Sequence, residues 1–298
     1  MTDTPALLFR RFADRWHGPI DETLDSFSRP GPGCPERLGE AIRYSLLAPG
    51  KRLRPLLTLM AAEACGGDPQ KAMPTAAAVE MIHAYSLIHD DLPAMDNDDL
   101  RRGRPTCHIR YDEATAILAG DALQAMAVST IGRNIRPKGL AAECCLALAE
   151  AVGPNALVGG QADDMTCQGE RIALEKMQSI HQRKTGALIG VSLVMGALTA
   201  DASIEQVDEI RRYGEKIGLA FQITDDLLDV EGDETTMGKR LRKDEAQGKA
   251  TYPTLLGVDE SHRLAEEAIA EAQSAVEPFG EPAFPLVGLA DYILARKK

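Results

Sequence analysis

What most constrains this chain is the identity of its apolar residues. Hydrophobic residues make up 44% of the sequence but aromatics only 4%. Ala, Leu, Ile, Val and Met therefore carry the apolar content, and the Ala, Leu and Met share favours helix. Alternating runs rich in Val, Thr and aromatics, which would mark strands, are nearly absent. Stretches of helical length lie instead between turn-rich breaks at 28–35, 66–69, 136–139, 153–160, 231–248 and 277–285. No repeat of fixed period and no long linker divides them. The reading is an all-α protein, one domain over residues 1–298.

Charge and cysteine usage narrow the partners. The net charge is -12, from 45 acids against 33 bases, which argues against nucleic acid, since phosphate backbones call for a basic surface. Small phosphorylated ligands stay open, because local charge decides there. Cys34, Cys65, Cys107, Cys144, Cys145 and Cys167 form no CxxC pair, so free thiols in a reducing cytoplasm are expected. The first residues show no basic start followed by an apolar stretch, so no signal peptide is visible. The most apolar segment, 186–200, is 15 residues long, short for a membrane span and suited to a buried core helix. The expectation is a cytoplasmic protein with no membrane span.

Two acidic clusters carry the chemistry. In the first, Asp90, Asp91 and Asp96 follow an apolar helical stretch and precede Arg101, Arg102 and Arg104. Acids this dense repel, so a cation is a natural explanation. His83 and Asp90 are seven apart and share a helix face, about 10 Å apart along the axis. Asp90 and Asp96 are six apart, on different faces of an ideal helix. Pro93 supplies the break that lets both converge, which predicts a loop or helix end at 92–95. In the second cluster Asp225 and Asp229 are i and i+4 on one face, with Gln222 on the same stripe and Asp226 alongside. The EF-hand pattern is missing. Hard oxygen ligands without a His/Cys set favour magnesium over zinc.

Cations complete the pattern. Lys51, Arg52 and Arg54 crowd four residues, Lys184-Thr185-Gly186 precedes the apolar helix, and Lys239 and Lys249 lie in or near a hydrophilic stretch at 231–249. That stretch reads equally as a solvated loop and as a mobile lid. A carboxylate cluster cannot bind a diphosphate directly, since both are anionic; bridging magnesium makes the contact attractive. A diphosphate held by Lys and Arg needs no metal. The sequence thus points to two anion sites of different kinds.

GKRLRP, HAYSLIHDDLPAMDNDDLRRGRPTCH, ILAGDAL, GGQ, KTGAL, AFQITDDLLDV and GKATYP occur in this order. Together they resemble the trans-isoprenyl diphosphate synthases, most closely the bacterial farnesyl diphosphate synthases, strongly over about 37–252 and more loosely beyond. The resemblance implies a bundle of mostly antiparallel helices around a deep central cavity, usually as a homodimer. It implies Asp90 and Asp96, with Asp91 alongside, as magnesium ligands of the first motif. Asp225, supported by Asp226 and Asp229, would be the ligand of the second. Three magnesium ions per site are implied, with manganese as a substitute. Lys51, Arg54, His83 and Arg102 match residues that bind isopentenyl diphosphate. Arg101, Lys184, Lys239 and Lys249 match residues around the allylic diphosphate. Thr185 and Gln222 match polar groups near the developing carbocation. The implied reaction joins isopentenyl diphosphate to dimethylallyl or geranyl diphosphate by ionisation, condensation and elimination. Tyr85 and Ser86, five and four residues before Asp90, match the positions that limit product length. A bulky Tyr85 resembles the pattern for (2E,6E)-farnesyl diphosphate, with geranylgeranyl diphosphate as the alternative. Asn97 and Thr224 depart from the pattern, where Asp and Gln are frequent.

Overall fold

The computed structural model describes residues 4–231 and 250–295. Helix α1 (Pro5–Phe27) opens on a Thr4 hydroxyl that accepts from the Leu7 amide, with Pro5 at the first helical position. Both are ordinary helix-start signals. Phe9, Phe12, Trp16, Ile20 and Leu24, spaced three and four apart, form its buried stripe. Burying Ile20 and Leu24 stabilises the fold by about 1.5–3 kcal/mol each.

Helices α2 (Glu36–Leu46), α3 (Leu53–Ala64) and α4 (Pro69–Asp90) follow. A two-residue antiparallel pair, β1 (Leu100–Arg101) with β2 (Arg104–Pro105), interrupts the helices. Then come α5 (Cys107–Arg110), α6 (Glu113–Asn134), α7 (Lys138–Val152), α8 (Leu157–Thr166) and α9 (Leu174–His181). A π-helical turn, Gln182–Gly186, joins α9 to α10 (Ala187–Thr199). The 28-residue α11 runs Ile204–Glu231. After the undescribed stretch come α12 (Tyr252–Leu256) and α13 (Val258–Val276). Two 3-10 turns, Glu277–Phe279 and Glu281–Ala283, lead into α14 (Phe284–Leu294).

Helices α3, α4 and α10 are apolar nearly all round and lie at the centre of the main core, with Leu57, Val79, Met81 and Leu193 wholly enclosed. Helices apolar on every side are the ones a bundle buries. The 186–200 segment is thus the expected core helix. A smaller core of Met177, Ile223, Leu227, Tyr252 and Ala265 ties α9, α11, α12 and α13 together.

Differences from the sequence reading are local. The 153–160 break is shorter, because α8 begins at Leu157. The β pair and the π turn gave no periodicity signal at their lengths. Two stretches other than 186–200, namely Glu113–Asn134 and Lys138–Thr166, are long and apolar enough by length and composition to cross a membrane. The second is interrupted by the turn between α7 and α8. Each stretch carries exposed apolar side chains besides its buried stripe, among them Leu118 (55% exposed) and Leu146 (60%).

Candidate active site

The cationic side begins with Arg52, which precedes α3 in the left-handed conformation (φ 49°, ψ 37°). Such a backbone costs about 1–3 kcal/mol for a residue with a side chain and needs support. Its buried guanidinium supplies that support. It donates to Asp21 Oδ1 of α1 (2.8 Å), Glu80 Oε1 of α4 (2.9 Å) and the Ala48 carbonyl (2.9 Å). The loop that carries Lys51 and leads into Arg54 at the start of α3 is thereby tied to two helices. The sequence reading assigned no role to Arg52, Asp21 or Glu80; a lone Glu inside the apolar run of α4 was the available signal.

Arg102 and Gly103 turn the β pair, both with positive φ (52° and 72°). That is the backbone of the tight two-residue hairpin turn. Arg102 Nη1 donates to the Pro49 carbonyl at 2.7 Å, which brings the hairpin onto the loop of Lys51. His83 of α4 completes the corner. Burial holds its imidazole well below the ordinary value, and the charges of Arg54, Arg102, Arg101 and Arg52 add to this. The ring is therefore neutral beside four guanidinium groups. Lys51 stands exposed at the rim, its Nζ 3.4 Å from the Tyr292 hydroxyl of α14.

The first acidic cluster sits where α4 stops. Asp90 is the last helical residue, and the expected break at 92–95 is present. The Asp96 amide donates back to the Asp90 carbonyl at 2.8 Å, so the loop folds Asp96 against the helix end. Asn97, a departure from the family pattern, takes φ 51°, a conformation asparagine tolerates well. Burial, with the charges of Asp96 and Asp91, pushes the Asp90 carboxyl up to about 6, while Lys184 and Arg101 hold it down. Asp91 behaves differently. It is 3% exposed and accepts from Arg101 Nε (2.8 and 3.0 Å) and Nη2 (2.5 Å). Its carboxylate orients Arg101, where the resemblance implies a role alongside the metal.

The facing side is the π turn and α11. Lys184 Nζ donates to Asp164 Oδ2 at 2.6 Å. Against the pull of burial, Asp164, Asp90 and Asp96 raise the Lys184 ammonium above its ordinary value. A π turn places consecutive side chains where an α-helix would not, a frequent device at functional sites. Here it is seated on Gly160 of α8, where a Cβ would stand 2.5 Å from the Lys184 amide nitrogen. Thr185 Oγ1 lies 3.5 Å from Gln222 Oε1. Asp225, Asp229 and Gln222 are partly exposed, while Asp226 faces inward. Asp226 accepts from Gln222 Nε2 (2.9 Å) and from the Tyr252 amide (3.0 Å). It fastens α12 to α11, again a different task from the one the resemblance implies. Asp163, which pairs with Arg183 (2.5 Å) and Lys176 (2.7 Å), and Asp164 were missed by the sequence reading. Their signal was two adjacent acids after GGQ in an otherwise apolar helix.

Among the described residues no three Asp, Glu, His or Cys side chains converge to hold a cation alone. The remaining carboxylates fit magnesium shared with a phosphate. They are hard oxygen donors, and the crowding that raises Asp90 is a repulsion a cation relieves. Lys239, Lys249 and the 231–249 stretch, save Glu231, lie outside the described residues. Just over one turn before Asp90, Tyr85 is 5% exposed and meets the His89 ring edge-on at 5.3 Å. Ser86 Oγ donates to the His83 carbonyl at 3.0 Å.

Comparison with known proteins identifies the family. The polyprenyl synthetase family model matches residues 35–281. The farnesyl diphosphate synthase of Escherichia coli (strain K12) is 43% identical over 289 residues, covering 93% of this chain and 95% of its own. A geranylgeranyl diphosphate synthase of Cyanophora paradoxa is 47% identical over 281 residues, covering 93% of each. The crystal structure of an FPP/GFPP synthase from Zymomonas mobilis superposes with a TM-score of 0.87 at 36% identity, covering 97% of this chain and 100% of that one. On a match of this extent the chain belongs to the polyprenyl synthetase family and is a trans-prenyltransferase of the farnesyl and geranylgeranyl diphosphate synthase kind.

Proposed function

We propose that the chain, acting as one domain, condenses isopentenyl diphosphate with dimethylallyl and then geranyl diphosphate to give (2E,6E)-farnesyl diphosphate. The observation that carries this reading is the asymmetry of the site. A corner of Arg54, neutral His83 and Arg102 needs no metal to hold a diphosphate. The acids that face Lys184 do.

Lys51, Arg54, His83 and Arg102 hold isopentenyl diphosphate, with the His83 ring as a neutral donor. Asp90 and Asp96 from one side, and Asp225 and Asp229 from the other, frame the allylic diphosphate, with Arg101, Lys184, Lys239 and Lys249 as its cations. Magnesium, three ions per site or manganese in their place, supplies charge neutralisation and withdraws charge from the leaving oxygen when bound. Lys184 and Arg101 are positioned to take up charge as the allylic C–O bond breaks and pyrophosphate departs. The Thr185 hydroxyl and the Gln222 carbonyl face the positive carbon. The double bond of isopentenyl diphosphate then forms the new C–C bond. The proton lost goes to pyrophosphate, so no side-chain nucleophile is required. Asp91 and Asp226 act through Arg101 and Gln222.

The C15 product rests on Tyr85, whose buried ring just over one turn before Asp90 supports the role of floor. Relatives named for C15 and C20 products keep geranylgeranyl diphosphate as the second reading. Incubation with labelled isopentenyl diphosphate, magnesium and each allylic primer separates them, with only C20 product overturning the first. Tyr85→Ala lengthens the product; unchanged C15 output rules Tyr85 out as the stop.

A second copy of this chain suits the exposed apolar side chains Ile117, Leu118 and Val128 of α6, Leu146 of α7 and Val158 of α8. A patch of this kind marks an interface. We read the protein as a cytoplasmic homodimer. Leu118→Glu together with Leu146→Glu gives monomers by sedimentation; an unchanged dimer moves the interface elsewhere.

A further inference from the structure

Gln161 of α8 is buried, 9% exposed, and neither Oε1 nor Nε2 has a hydrogen-bond partner among the described residues. Buried amides are nearly always paired, because an unpaired one gives up its water and gains nothing. Gln222, across the site, shows the ordinary arrangement, with Nε2 on Asp226 and Oε1 near Thr185. Among the described residues nothing engages the amide at position 161.

Its place in α8 shows what the polarity serves. Gln161 and Asp164 are i and i+3 on one face. Asp164 points at Lys184, whose charge is felt by Asp90. Leu157, four residues before Gln161 on the same face, is buried in the main core. Gln161 thus occupies the layer between the charged groups and the apolar interior, about 4.5 Å along the axis from Asp164. The preceding Gly160 touches the backbone of Lys184, so the π turn runs alongside. With a diphosphate in the charged layer and an isoprenoid tail in the apolar one, the allylic carbons lie level with Gln161. That step rests on the site reading given under Proposed function.

We propose that Gln161 is a further catalytic residue, its amide carbonyl facing the allylic carbon and stabilising the positive charge that grows there. A dipole fixed in dry surroundings acts strongly on developing charge and needs no reorganisation. No proton is exchanged with Gln161. The electron pair of the C–O bond leaves with pyrophosphate, and the new C–C bond takes its pair from the isopentenyl double bond. Packing alone would be served better by Met or Leu, which carry no unpaired amide into the core.

The test uses the full chain with magnesium, geranyl diphosphate and isopentenyl diphosphate, measuring kcat, both KM values and Tm. Gln161→Met lowers kcat at least about tenfold, with Tm unchanged or higher, the size seen when one charge-stabilising group is lost. Both KM values stay within about threefold, since the group acts on the transition state and not on ground-state binding. Gln161→Glu keeps an oxygen at the same reach and turns over faster than Gln161→Met. Parent-like kcat in Gln161→Met overturns the proposal. So does a Gln161→Met that fails to fold, because the amide is then structural, and so does equal turnover by the two variants. Absence of product from the parent chain overturns the site reading instead, which keeps the two failures apart.

Discussion

The two sides of the site are built to different degrees of completion. On the cationic side the protein finishes most of its own contacts, with Arg54 Nε the atom left without a partner among the described residues. Arg52 has three partners on α1, α4 and the loop, Arg102 caps the Pro49 carbonyl, and burial with surrounding guanidinium groups keeps His83 neutral. On the acidic side groups remain under stress. Asp90 is raised to about 6 by burial and its neighbours, and Gln161 lacks a partner among the described residues. On the proposed reading, the first half is preorganised for one anion, while the second is balanced only with its ligand present. Strain of this second kind is a mark of function, because fold stability alone would remove it.

Substitutions on the two sides should therefore have opposite profiles. Asp90→Asn removes a carboxylate that repels its neighbours, so Tm holds or rises while kcat falls about 10³-fold, the loss of a major charge-stabilising contact. Steady-state assays and thermal melts of one preparation check both halves, and a lowered Tm in Asp90→Asn breaks the contrast. Glu80→Gln acts in reverse. Its carboxylate and Arg52 are 5% and 3% exposed, and breaking a buried pair from one side costs about 3–5 kcal/mol. Chemical denaturation should show that loss, with turnover at low temperature reduced far less than in Asp90→Asn. An unaltered denaturation midpoint would show that the corner is not held by this pair.

How far the sequence carried these conclusions depends on the kind of interaction. Helix existence was legible because apolar spacing and Pro or Gly punctuation are local, and Pro93 marked the end of α4 within its break. The acidic clusters were legible because crowded carboxylates in an apolar run repel one another until a cation joins them. The division of labour within each Asp-Asp pair was not. Asp91 and Asp226 turn inward because helix phase and the hairpin bring Arg101 and the Tyr252 amide to them, and those are long-range contacts. Arg52 was hidden between two cations of the same motif, and its left-handed backbone leaves no trace in composition. Asp164 required the π turn, which shifts Lys184 by a register that no 3.6-residue pattern reports.

The smallest expected effect tests the cationic corner through pH. His83 lies well below 6.5 in the folded protein, whereas an unfolded histidine titrates near about 6.5. Below that pH the unfolded chain takes up a proton that the folded chain refuses. This group therefore withdraws stability as pH falls through the mid-sixes and is without effect above. His83→Gln removes that proton uptake while keeping a neutral donor. The fall in Tm between pH 7.5 and pH 5.5 should then be smaller in the variant, by about 2 °C or more for a chain of this size. Inorganic pyrophosphate without metal should narrow the same gap in the parent, since an anion beside Arg54 and Arg102 offsets the charges that add to burial in keeping the imidazole neutral. Equal pH slopes in parent and variant would mean that His83 is protonated in the folded state, and the corner would then be open to water instead of finished by the protein.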